Sequence, residues 1–315
     1  MPVVYDNINA NAASGTELML RGLEQRLDKS HLDKISVGRA IQLFKNHPTK
    51  RIYWTHNLPW QGMPPAVNER ASIHPAHNWR DVDNIVFVSE WQKQKYIGHY
   101  KYSEQDQSRF RVLRNAIQPI PVHTKPTDKI RLIYTSVPER GLNVLYYAFD
   151  NVSKKFPDIE LDVYSSYRIY GMGDWDNRFR RLFDQMKAHP QINYHGTVSN
   201  SEIHSALQRA HIFAYPSVFM ETSCVSIIEA MSAGCVCVHS DIAALKETTA
   251  GHTKMYPFVS NFHEHVRVYE QQLEKAILQC QDGVDLSAQK QYTDSNYSWD
   301  VRIGEWEQFI NQICE

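Results

Sequence analysis

The sequence predicts an α/β protein of two parallel-sheet domains, and three observations carry that prediction. Short β-branched or aromatic runs alternate with longer amphipathic stretches along almost the whole chain, the pattern of strands joined by crossover helices. A proline-bearing break interrupts the alternation once, after which it restarts. The final stretch, YSWDVRIGEWEQFINQI, has the spacing of one more amphipathic helix.

In the first part, strands are expected at about 3–5, 35–37, 52–54, 85–88 and 111–113, with helices at about 17–27 and 90–100. Between Gln118 and Lys129 the segment QPIPVHTKPTDK holds three prolines, each lacking a backbone donor and restricting its predecessor, and the interdomain linker is placed there. Beyond it come strand 131–134, helix 142–154, strand 161–164, helix 177–188, strand 192–194, helix 201–209 and strand 212–215. A helix at about 223–233, an apolar strand at 235–238 and a long helix at 262–279 follow. The domains are therefore residues 1–122, with a helix at about 299–315 packing back on them, and residues 123–298. Open parallel sheets bind ligands beyond the carboxyl ends of their strands, so the site is expected between the two domains.

Bulk properties narrow the partners. With 42% hydrophobic and 22% charged residues in 315, the chain can bury one large or two ordinary cores. A formal charge of −1, from 34 basic and 35 acidic side chains, gives no field to hold a nucleic-acid backbone. Five cysteines, including the pair in CVCV, lack metal-ligand spacing and read as reduced thiols of a cytoplasmic protein. No leader pattern opens MPVVYDNINAN, and no run approaches the roughly 18 apolar residues of a membrane span. The fifteen histidines include the close pairs His74/His77 and His263/His265, but no further ligands at metal spacing, so no metal is expected.

The most informative stretch is AYPSVFMETSCVSIIEAMSAGCVCVHSD, residues 214–241. It reads as strand, loop, helix, tight turn and buried strand, with Glu221 in the loop and Glu229 about two helical turns later. Carboxylates grip hydroxyl pairs, as sugar and ribose recognition requires. The backbone donors of Thr222, Ser223 and Cys224 fall at the expected helix start, where free N–H groups and the dipole favour phosphate. Two solvated or capping glutamates would give the same spacing; the surrounding Pro216, Ser217 and the Ala233-Gly234 turn favour the site.

With these features in place the chain resembles the retaining glycosyltransferases of family 4, whose GT-B fold sets two Rossmann-like domains facing across a cleft and carries a Glu, seven residues, Glu motif. The resemblance runs through SGTEL (14–18), WTHN (54–57), IVFVSEWQKQKY (85–96), RNAI (114–117), YTSVPERGLNVL (134–145), YHGTVSNSEI (194–203) and YSW (297–299). It implies that Glu221 contacts the transferred sugar, that Glu229 binds the ribose, and that Arg140 lies on the diphosphate. It further implies His56 near the anomeric centre, Gly15 in a loop approaching the phosphates, and backbone groups of Thr197 and Val198 at the base. The donor would be a UDP- or GDP-sugar, the acceptor a glycan, lipid-linked or small-molecule hydroxyl, and no cofactor beyond the donor is implied.

Departures from that pattern are visible. The upstream cation of the phosphate loop is replaced by Ser136, and the first glycine of the usual pair is Ser14. The first domain is short, while residues 58–79 form a long polar, proline-bearing loop in which Trp60 and Trp79 either stack on an acceptor sugar or pack the loop down. Relatives acting on lipid-linked acceptors leave peripheral membrane contact open. Two other classes compete: a nucleotide-sugar or glycan-binding protein with impaired catalysis, and an epimerase or phosphorylase of the same architecture. A nicotinamide oxidoreductase is disfavoured, since no G-x-G-x-x-G opens either half.

Overall fold

The computed structural model describes residues 15–38, 48–61 and 81–315. Among these, the chain divides into two compact units, one holding the residues up to Ala116 together with Tyr297–Glu315, the other holding Ile117–Asn296. The expected strand at 3–5 lies outside the described residues.

The first unit contains a parallel sheet in the order β1 (Ile35–Gly38), β2 (Lys50–Thr55), β3 (Asn84–Phe87), β4 (Phe110–Val112). Parallel strands covered on both faces read as apolar runs, and Ile52, Trp54, Val86 and Phe87 are accordingly fully buried. The chain's last helix, Trp299–Cys314, completes this core: Trp306 meets Trp54 edge-on, with ring centroids 5.0 Å apart. Helix Gly15–Arg26 packs beside it, and Gly22 is what allows the approach, because a Cβ there would overlap the Trp299 indole.

In the second unit six parallel strands run in the order β10 (Lys254–Tyr256), β9 (Val236–Ser240), β8 (Ile212–Tyr215), β5 (Ile130–Thr135), β6 (Ile159–Tyr164), β7 (Ile192–Tyr194). Read outward from β5 this is the doubly wound order 3-2-1-4-5-6. β8 and β9 are buried along their whole length, whereas β6 alternates buried and half-buried positions. Helices Leu142–Ser153 and Phe262–Asp282 pack on each other, the latter burying Tyr269, Leu273 and Ile277. The segment after Ala116 docks on this unit: Ile120 N–H donates to Ser232 Oγ, and Lys125 Nζ donates to the carbonyls of Leu207 and Ala233.

Two helices differ from the sequence expectation. The stretch 177–188 opens as a 3-10 segment, Gly173–Phe179, and only Arg180–Ala188 is α-helical. The helix expected from 223 begins at Val225, with Cys224 as its N-cap residue. Strand β10 and helices Leu245–Thr249 and Ser287–Tyr297 were not expected from the sequence.

Candidate functional site

Chain connections leave β5 and β8 toward opposite sides of the second sheet, so a crevice opens beyond their carboxyl ends. After β5 come Ser136, a 3-10 turn Pro138–Arg140, and Gly141 at φ +115°. After β8 come Pro216 and the loop that carries Glu221 to helix Val225–Ser232. The two loops are in contact: a Cβ on Gly141 would run into the carbonyl oxygen of Pro216, and only glycine tolerates this φ at no steric cost. Ser226 Oγ ties the second helix back to the carbonyl of Thr135 at 3.0 Å.

This clamp brings together residues 81 positions apart. Glu221, only 4% exposed, accepts at Oε1 from Arg140 Nη1 and from the Tyr215 hydroxyl, both at 2.5 Å. Charge-assisted bonds of this kind are short and strong, and here they fix the carboxylate from two sides. The Arg140 guanidinium also lies over the Phe219 ring, 4.4 Å from its centroid. Burial, the largest single influence, opposes its charge, but Glu221 together with Tyr170, Tyr215 and Cys224 holds its pKa well above the ordinary value. Burial and then Glu221 push the Tyr215 hydroxyl and the Cys224 thiol up, so both stay protonated.

Several buried polar atoms cluster at the same strand ends. Thr135 Oγ1, Ser165 Oγ and Arg140 Nε are buried with no hydrogen-bond partner among the described residues. Thr135 and Tyr164 are register partners, so Ser165 continues β6 directly beside the loop leaving β5. Buried polar atoms without a partner cost free energy unless a ligand or water completes them.

Farther along, Glu229 stands on helix Val225–Ser232, where its Oε1 accepts from His204 Nε2 at 3.0 Å. His204 belongs to helix Asn200–Arg209, whose capping box, Ser199 with Glu202, lies directly after Thr197 and Val198. Thr197 is exposed and Val198 half-buried. Ser136 is half-buried at the end of β5.

Not all of the expected residues take the expected place. Because the helix starts at Val225, the donors of its first turn are those of Val225, Ser226 and Ile227, while Thr222 and Ser223 belong to the incoming loop and Cys224 to the cap. His56 and Gly15 lie in the first unit, His56 just past β2 with its ring 4.9 Å from that of Trp54, and Gly15 as the first residue of its helix. Trp60 is 43% exposed and 5.6 Å from the His99 ring. Trp79 lies outside the described residues. Sequence reasoning missed Tyr215, Phe219 and His204. For Tyr215 the only available signal was a hydroxyl-bearing aromatic at the last position of an otherwise apolar strand.

Known proteins resemble the chain in sequence and in fold. The family model described as glycosyl transferases group 1 matches residues 119–277, half of the chain. A phosphatidyl-myo-inositol mannosyltransferase of Mycobacterium tuberculosis is 31% identical over 119 residues, covering 36% of this chain and 29% of that protein. The match thus spans less than a third of that relative's length. The solved glycosyltransferase from Rickettsia africae superposes with a TM-score of 0.67 at 15% identity, over 99% of this chain and 85% of that one. Anabaena HepE, solved with UDP-glucose, gives 0.66 at 12% identity, over 94% and 82%. Two parallel-sheet α/β units are what these structures share with it, and the fold is GT-B. The sequence match across the whole second sheet settles the lineage: the chain belongs to the glycosyl transferases group 1 family.

Proposed function

We propose that the protein is a retaining glycosyltransferase that moves a sugar from a nucleotide diphosphate sugar, UDP- or GDP-linked, to an acceptor hydroxyl without a tightly bound metal. The observation that carries this reading is the convergence of Arg140 and Tyr215 on Glu221 at the β5/β8 switch point. A carboxylate, a fixed cation and the first turn of a helix stand within one pair of loops, the setting in which hydroxyls and phosphate are held. Membership of the glycosyl transferases group 1 family supports the donor class. Retention, metal independence and assignment to family 4 rest on the Glu221, seven residues, Glu229 motif and its resemblance to that family.

In this mechanism the bond between the sugar's anomeric carbon and the donor phosphate oxygen breaks while a bond to the acceptor oxygen forms on the same face. The acceptor proton passes to the departing phosphate. Arg140 and the first-turn N–H groups of helix Val225–Ser232 stabilise the charge on the leaving diphosphate, and Glu221 holds the sugar's hydroxyls. For His56 and Gly15 as donor-side residues, and Trp60 and Trp79 as acceptor-side ones, the support is the sequence alone. The acceptor is a glycan, a lipid-linked or a small-molecule hydroxyl, and the work is done in the cytoplasm, with or without peripheral membrane contact.

Ser136, in place of a second cation, favours one other reading: a nucleotide-sugar or glycan-binding protein with impaired catalysis. Thermal unfolding with UDP and GDP separates these when paired with turnover of the matching hexose donors. A ligand at about 100 times its Kd adds roughly 2.7 kcal/mol. A shift with turnover supports the transferase; a shift without transfer or donor hydrolysis supports the nucleotide-sugar-binding protein; no shift with either nucleotide refutes both of these and leaves only a glycan binder.

A further inference from the structure

Glu229 does not stand alone. Its side chain is 14% exposed and lies against His204, 34% exposed, with Nε2 and Oε1 3.0 Å apart. A carboxylate only accepts, so the imidazole donates through Nε2–H whatever its charge. The hydrogen bond to Glu229 also raises the His204 pKa, although burial opposes it. Glu202, the nearest acid on the same helix, is already engaged at the Ser199 N–H and hydroxyl in the capping box. That capping box fixes where the helix begins, immediately after Thr197 and Val198. One rigid turn and a half therefore joins the loop assigned to the base with the carboxylate assigned to the ribose.

We propose that His204 is a positioning residue for nucleotide binding: by holding one carboxylate oxygen of Glu229 it orients the other toward the ribose hydroxyls and so sets a preference for ribonucleotides. This rests on the donor-site reading given above. Without the imidazole, the Glu229 side chain gains rotamer freedom and must be ordered by the ligand itself, which weakens the contact with the sugar of the nucleotide. A bond to a charged group carries about a tenfold effect in affinity.

The test is calorimetric binding of UDP and GDP, each against its 2′,3′-dideoxy form, to wild type, His204→Ala, His204→Gln and His204→Asn. Wild type is expected to prefer the ribonucleotide by about tenfold or more. His204→Ala brings that ratio close to one. His204→Gln, whose amide nitrogen reaches the place of Nε2, retains it, and the shorter His204→Asn does not. A structural role alone would lower unfolding temperatures without changing the ratio. A preserved ratio in folded His204→Ala, or in His204→Asn should the alanine variant not fold, overturns the proposal. Wild type binding both forms equally removes the ribose role of Glu229 and this proposal with it. Binding of neither UDP nor GDP removes the donor-site reading itself.

Discussion

Gly141 and Pro216 lie so close that no side chain fits between them, and on this contact the two halves of the candidate site are registered. Gly141 sits at φ +115°, a region other residues enter only under strain. Gly141→Ala should lower the stability of the second unit by about 1–3 kcal/mol and reduce the thermal shift given by nucleotide. Urea unfolding checks the first effect; an unchanged midpoint would show that the loops part at little cost.

Arg140→Ala should lower kcat by about 10²–10³, the usual loss when one preorganised donor to a developing anion is removed. Wild-type turnover in this variant would end the leaving-group role assigned to Arg140.

Tyr215→Phe keeps the ring, which packs near Tyr134, and deletes only the hydroxyl on Glu221. Loss of a hydrogen bond to a buried charge costs about 1.5–3 kcal/mol. The expected result is reduced stability with a lower kcat, measured by denaturation and by initial rates; a fully active, equally stable variant would contradict the geometry.

Gly22→Val tests the other unit. The added side chain must displace Trp299, and overpacking of this kind costs about 1–3 kcal/mol. Tryptophan fluorescence should report an earlier unfolding transition. Binding of the base and ribose, which the proposal assigns to Thr197, Val198 and Glu229 in the second unit, should persist.

Stability should also fall in mild acid. His239 is fully buried; its Nδ1–H donates to the Ser240 carbonyl and its Nε2 accepts from Thr253. Burial lowers its pKa to about 4, and burial lowers that of His265 in the same direction. An unfolded histidine titrates near 6.5, so between about pH 6.5 and 4 the unfolded chain takes up a proton that the folded one resists. The stabilisation is present above that window and is lost as pH falls through it, by about 3 kcal/mol for His239. Denaturation at pH 7 and pH 4.5 should show the loss, and His239→Gln should flatten it.

Much of the fold was legible because burial repeats at short range: the apolar runs of β8 and β9 and the spacing of Trp306 and Phe309 announce their elements, although Val301, read onto the same helix face, is 37% exposed. What escaped lacks such a pattern. Helix Ser287–Tyr297, SAQKQYTDSNY, faces the core with Gln289 and Thr293, polar residues whose burial is made tolerable by bonds to the carbonyls of Met231, Cys235 and Gln289. β10 is a three-residue edge strand without an apolar run. At the site, Arg140, Glu221 and Glu229 stood out by motif, while Tyr215 and His204 acquire meaning only through partners that topology supplies. The start of the Glu229 helix was placed two residues early, because Ser223 and Cys224, after Glu221 and Thr222, read equally well as cap or as first turn.

The position of helix Trp299–Cys314 governs the order in which this molecule can be built. It belongs to the first unit, covering Trp54, yet it is translated only after the whole of the second unit. The first sheet must therefore wait, with an uncovered tryptophan, while more than half of the chain is synthesised and folds ahead of it.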